Sequence, residues 1–163
     1  MPNALMLLIP FGAPFVAAVL AIYLPSRARN AAAALAWATS LAGLLCLVAL
    51  FPAVASGETV RWSTPWLPTL GVNFTLRLDG LSWLFAVMVQ GIGALVVLYA
   101  RYYMSAADPV PRFFAFLLAF MGAMTGVVMA GDLIVLATFW ELTSLFSFLL
   151  IGYWHHNAAA RDG

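Results

Sequence analysis

Five long apolar stretches divide the chain: residues 4–24, 31–54, 78–104, 112–130 and 133–154. A helix that crosses a bilayer needs about 20 mostly apolar residues, so each stretch predicts a transmembrane helix. Only Gly131 and Asp132 separate the last two, which predicts a tight helical hairpin. Pro10, Gly12 and Pro14 lie inside the first stretch and predict a kink, whose freed carbonyls neighbouring helices can satisfy. No positive residue precedes that stretch, unlike a cleavable signal peptide; Arg27 is the first. The pattern changes in the loop of residues 56–77. Val72, Phe74, Leu76 and Leu78 alternate with Asn73, Thr75, Arg77 and Asp79, the period of two of a half-buried strand. Residues 59–63 also have strand character, and Pro65, Pro68 and Gly71 punctuate the turn between them, which predicts a short amphipathic β-hairpin, the alternative being an irregular cap loop.

Composition fixes the class. Of 163 residues, 65% are hydrophobic and only 8% charged, with a mean hydropathy of +1.02. Soluble domains carry roughly 25% charged residues, and seven Arg, six acids and no Lys cannot cover a soluble surface of this size. A net charge of +1 offers no electrostatic footprint for nucleic acid. The single Cys46 excludes an intrachain disulfide and a Cys-based metal or iron–sulfur site. With the N-terminus outside, Arg27, Arg29, Arg101, Arg112 and Arg161 face the cytoplasm, and only Arg61 and Arg77 face out. The positive-inside rule therefore predicts an N-out, C-in topology. The fold class is an all-α integral membrane protein with five transmembrane helices and a short extracytoplasmic β-hairpin between helices two and three. Residues 1–77 hold two helices and the hairpin loop; residues 78–163 hold helices three to five.

Glu141 is the first candidate for chemistry. It lies about 12 Å along the fifth span from Leu133, at 1.5 Å per residue. An ionisable group at that depth is costly and ordinarily faces a bundle interior or a water-filled cavity. Thr138 and Ser144, three residues either side, share its face by spacing. A hydroxyl-lined carboxylate can carry a proton, or a cation through oxygen ligands. The alternative is a protonated Glu acting as packing glue between helices.

Asp79 and Asp132 each precede a helix start and read as N-caps. Gln90 reads as an interhelical hydrogen-bond partner. The fourth span carries Ala115, Ala119, Gly122, Ala123, Gly126 and Ala130 at three- and four-residue spacing, a close-packing stripe. Tyr23, Tyr102, Tyr103, Tyr153 and Trp154 read as interface belts. His155 and His156 sit at the predicted cytoplasmic end, where His could collect protons. Adjacent helical residues point about 100° apart, so the pair is a poor metal site. No P-loop, HExxH, GxSxG or CxxC occurs, and no cofactor or metal is expected.

Four runs carry a resemblance: Leu78-Asp79-Gly80-Leu81-Ser82, Arg112-Phe113-Phe114-Ala115-Phe116, Phe139-Trp140-Glu141-Leu142-Thr143-Ser144-Leu145 and Ser147-Phe148-Leu149-Leu150-Ile151-Gly152. They resemble the antiporter-like membrane subunits, a family that includes the large proton-pumping subunits of respiratory complex I and the A and D subunits of Mrp-type Na⁺/H⁺ antiporters. The wording is most similar to the N-terminal part of the Mrp-type A subunits. The resemblance implies a prokaryotic plasma-membrane location, partner subunits in a multisubunit complex, and transport of H⁺ and Na⁺ or K⁺. It places the family's mid-helix Glu on Glu141, paired with a Lys on a broken helix farther along. The 163 residues hold no Lys, so the expectation is that this stretch by itself exchanges nothing. The reading is therefore of a secondary transporter subunit rather than an enzyme. The alternatives are a proton-translocating subunit of a complex I-like dehydrogenase or membrane-bound hydrogenase, and an inactive multi-pass fragment.

Overall fold

The computed structural model describes residues 2–105 and 108–154. Its elements in chain order are α1 (Pro2–Met6), α2 (Leu8–Ile22), α3 (Arg29–Ala55), β1 (Val60–Leu67), β2 (Val72–Leu78), α4 (Gly80–Tyr103), α5 (Val110–Val128) and α6 (Leu133–Ile151). Among the described residues, five spans are long and apolar enough to cross a membrane: Asn3–Ile22, which joins α1 to α2, and then α3, α4, α5 and α6. All five fall on the stretches expected from the sequence, with ends shifted by a few residues. The fifth stops at Ile151, and Gly152–Trp154 form a 3₁₀ turn.

The hub is α5, which packs against α2, α3, α4 and α6. Its small residues permit this. Gly122 lies under the Phe15 ring of α2, and Gly126 lies under the Phe139 ring of α6. A Cβ at either position would come within 2.8 and 2.5 Å of those rings. The stripe thus receives aromatic rings as knobs, which gives close helix approach without any hydrophobic drive in lipid.

Pro14 and Gln90 explain each other. Pro14 has no N–H to give to the carbonyl four residues back, that of Pro10. The Gln90 side chain of α4 supplies the missing donor, with Nε2 2.9 Å from the Pro10 oxygen and 3.4 Å from Thr125 Oγ1. Gln90 is fully buried, and Gly43 of α3 leaves the room it occupies: a Cβ there would sit 2.9 Å from its amide. Four spans therefore meet at one polar point.

The strands pair antiparallel from Val60↔Leu78 to Leu67↔Val72, with an irregularity between Pro65 and Leu67 and a left-handed Gly71 closing the turn at φ 67°. β1 runs four residues beyond the expected stretch. Pro65 is accommodated opposite Asn73, next to the irregularity, where a missing ladder donor is tolerated. Val60, Leu76 and Leu78 are buried with Leu7, Leu47, Leu50, Val54, Ala86 and Met129. The hairpin is also sewn to the α5–α6 turn by backbone: Arg77 N–H donates to the Met129 carbonyl (2.7 Å), and Gly131 N–H donates to the Thr75 carbonyl (2.8 Å).

Candidate functional site

The site is built on α6. Asp132 starts it: one carboxylate oxygen accepts from the N–H groups of Ile134 (3.0 Å) and Val135 (2.9 Å). Val135 and Phe139, one turn apart, are its only two buried residues. Phe139 enters an aromatic cluster with Phe11, Phe15 and Phe74, at centroid distances of 5.2–6.2 Å. Glu141 follows Phe139 by two residues, about 200° around the helix. A helix that seats Phe139 therefore turns Glu141 to the opposite side.

The expectation that Glu141 faces the interior of the bundle is not met within these five spans. Glu141 is exposed on the outer face of α6 and makes no hydrogen bond or ion pair with the described residues. Thr138 and Ser144 do not line it either. Thr138 Oγ1 donates to the Ile134 carbonyl (2.8 Å), and Ser144 Oγ donates to the Trp140 carbonyl (3.4 Å). Both hydroxyls are occupied by their own helix, the usual satisfaction of Ser and Thr in apolar surroundings. The same face carries Trp140, Leu145 and Phe148, all largely exposed.

Asp79 caps α4 and closes a capping box. Its carboxylate accepts from Ser82 N–H (2.9 Å), and Ser82 Oγ accepts from Asp79 N–H (2.7 Å). The Ser82 N–H bond and the neighbouring Arg77 guanidinium hold the Asp79 carboxyl down at about 2. His155 and His156 lie outside the described residues. Among the described residues no cluster of His, Cys, Asp and Glu could hold a metal.

The sequence marks Gln90 as an interhelical partner, but does not mark Pro10 or Thr125 as what it touches. The signal was present: Pro14 frees the carbonyl of Pro10, and a buried carbonyl in a membrane demands a donor.

The arrangement presents a carboxylate midway along a largely uncovered apolar helix. A carboxylate on an apolar helix face is costly wherever that face meets lipid. Known proteins supply context. A family model for the N-terminus of chain 5 of NADH-ubiquinone oxidoreductase (complex I) matches residues 66–114. The chain is 58% identical over 150 residues to the A/B subunit of a probable K⁺/H⁺ antiporter of Rhizobium meliloti, covering 92% of this chain and 15% of that protein. It is 51% identical over 110 residues to the A subunit of the Na⁺/H⁺ antiporter of Alkalihalophilus pseudofirmus, covering 67% of this chain and 14% of that protein. The chain thus spans about 15% of the length of these relatives. Among solved structures it matches the Mrp complex of a Dietzia species with a TM-score of 0.69 and 30% identity, over 93% of this chain and 16% of that one. It also matches an archaeal membrane-bound sulfane sulfur reductase with a TM-score of 0.72 and 28% identity, over 90% of this chain and 23% of that one.

Proposed function

This chain belongs to the antiporter-like membrane-subunit family, with relatives among antiporter A subunits and a structural match in an Mrp complex, and from that premise we propose that it forms part of a cation/proton antiporter in which Glu141 carries the proton or Na⁺. One observation carries the reading. Glu141 stands midway on α6 without a partner among the described residues, on a face that only further protein could cover at acceptable cost. The covering surface comes from other parts of the transporter, either in the same polypeptide or in a separate one. Thr138 and Ser144 shape the helix beside the carboxylate rather than bind its cargo. The arginine distribution supports an N-out, C-in topology with the hairpin outside, in a prokaryotic plasma membrane.

The test is Glu141→Gln in an assembled multisubunit antiporter carrying this segment, read as cation-dependent dissipation of a pH gradient in everted vesicles. Gln keeps the shape and hydrogen-bonding capacity but cannot titrate. Assembly should be normal and exchange lost, while Glu141→Asp should keep partial activity with a shifted pH optimum. Full exchange in the assembled Gln variant would leave Glu141 as packing glue.

A second reading is favoured by one observation: the higher of the two TM-scores belongs to a respiratory complex. In that reading the same five spans serve a redox-driven proton pump. A pH gradient that responds to an electron donor and not to added Na⁺ or K⁺ would establish it.

A further inference from the structure

The end of the bundle remote from the hairpin has its own chemistry. Arg27 lies in the α2–α3 connection, Arg29 is the first residue of α3, and Arg101 is in the last turn of α4. None of the three is ion-paired among the described residues, where the one salt bridge is Arg77 to Asp79. The first turn of α3 and the last turn of α4 also hold no acid. Arg29 donates one guanidinium N–H to the Arg101 carbonyl, which ties the two helix ends together. A guanidinium has five N–H donors, so this bond leaves most of them for a ligand.

Two cavities meet this pair. One, of about 480 Å³, is lined by Ser26, Arg27, Arg29, Asn30 and Val110. The other, of about 330 Å³, lies one to two turns deeper between α3 and α4 and is lined by Ala33, Ala34, Trp37, Val97, Leu98 and Arg101. The deeper one is a groove because Ala33 and Ala34 are small, while Trp37 and Leu98 form half-exposed walls. Arg29 lines the polar cavity and Arg101 the mainly apolar one, and the bond between the two arginines links the two linings.

We propose that this end of α3 and α4 binds one anionic phospholipid, its headgroup phosphate held by Arg29 and Arg101 and one acyl chain laid against Ala34, Trp37 and Leu98. Phosphate matches the bidentate geometry of guanidinium. Basic residues at a membrane surface select anionic over zwitterionic headgroups, because a zwitterion returns a positive charge to a site where three arginines already have no acidic partner among the described residues. The slot selects a lipid over free phosphate, because inorganic phosphate leaves it empty.

The purified 163-residue chain is titrated with phosphatidylglycerol, phosphatidylcholine and inorganic phosphate and read by native mass spectrometry. A phosphatidylglycerol brominated on its acyl chain adds a second readout, quenching of the Trp37 fluorescence, with Trp37→Phe as the blank. Phosphatidylglycerol should bind at least about tenfold more tightly than phosphatidylcholine. R29Q/R101Q should remove that preference, and Arg61→Gln on the hairpin should not. Ala34→Phe fills the slot from an exposed position and leaves the arginines in place. It should weaken phosphatidylglycerol binding and quenching even where the double variant fails to fold. Equal binding of the two lipids, equal weakening by Arg61→Gln, or displacement by millimolar inorganic phosphate would each overturn the proposal.

Discussion

α5 and α6 are both 19 residues long and are joined by a short turn, yet they have opposite fates. About 67% of the α5 span is buried against 11% of the α6 span, although α6 is the more apolar of the two, with a mean hydropathy of 1.9 against 1.6. In water the order would be reversed, because burial would follow hydrophobicity. In a bilayer the surroundings are as apolar as Leu, and burial follows fit instead. α5 offers Ala115, Ala119, Gly122, Ala123 and Gly126 to its neighbours; α6 offers Leu, Phe and Trp, and seats only Val135 and Phe139. Of the pair, the more apolar helix is the one left open, and it carries the mid-span carboxylate.

Filling the notch that joins the two helices should have the largest effect on the fold. Gly126→Leu drives a side chain into the Phe139 ring, where even a Cβ would come within 2.5 Å. A loss of about 3 kcal/mol, the upper range for overpacking, is expected in detergent unfolding, with α6 released before the rest. A paired truncation sharpens the contrast. Leu118→Ala, at a fully buried α5 position, should cost about 2 kcal/mol through lost packing. Leu145→Ala, on the half-exposed face of α6, should cost under about 0.5 kcal/mol in the chain alone. A large Leu145 effect that appears only in the assembled complex would reveal the surface that covers α6.

Gln90→Leu tests whether the packed side depends on its polar point as well as on fit. It strands the Pro10 carbonyl in the dry core and should cost about 1–2 kcal/mol. A milder loss than that at Gln90 concerns the end that both helices share with the hairpin. Asp79→Ala removes the α4 cap and should cost about 1 kcal/mol near neutral pH. The folded carboxyl sits at about 2 against an ordinary 3.8. Its contribution is therefore complete above about pH 4 and disappears as pH falls toward 2. Wild type and variant should converge in stability across that window.

Much of the architecture was legible because a membrane writes its demands as length. Five apolar runs, two Asp caps and an alternating strand each report a local condition that the residues meet alone. Which way α6 faces was not legible. A helix that is apolar all round carries no direction in its pattern, and the natural guess put its one charge inward. The deciding fact was the seat for Phe139, formed by Gly126 on one helix and Phe11 and Phe15 on another. Nothing within residues 133–154 records that seat. The hydroxyls of Thr138 and Ser144 misled for a related reason: spacing places them beside Glu141, but their own helix carbonyls are nearer. Gln90 lay between these cases, since its burial and role were readable and its partner required linking Pro14 back to Pro10.

The two backbone bonds between the hairpin and the α5–α6 turn have a bearing on biosynthesis. Thr75 and Gly131, joined through the Thr75 carbonyl, are 56 residues apart. At a ribosomal rate of roughly 5–20 residues per second, the second partner emerges about 3–11 s after the first. A β-hairpin closes in microseconds, so β2 is folded, with a bare edge, long before its clasp exists. A pause or stall in translation between α4 and α5 would lengthen the exposure of the edge and favour its capture by another strand, making the hairpin the place where faulty assembly of nascent chains begins.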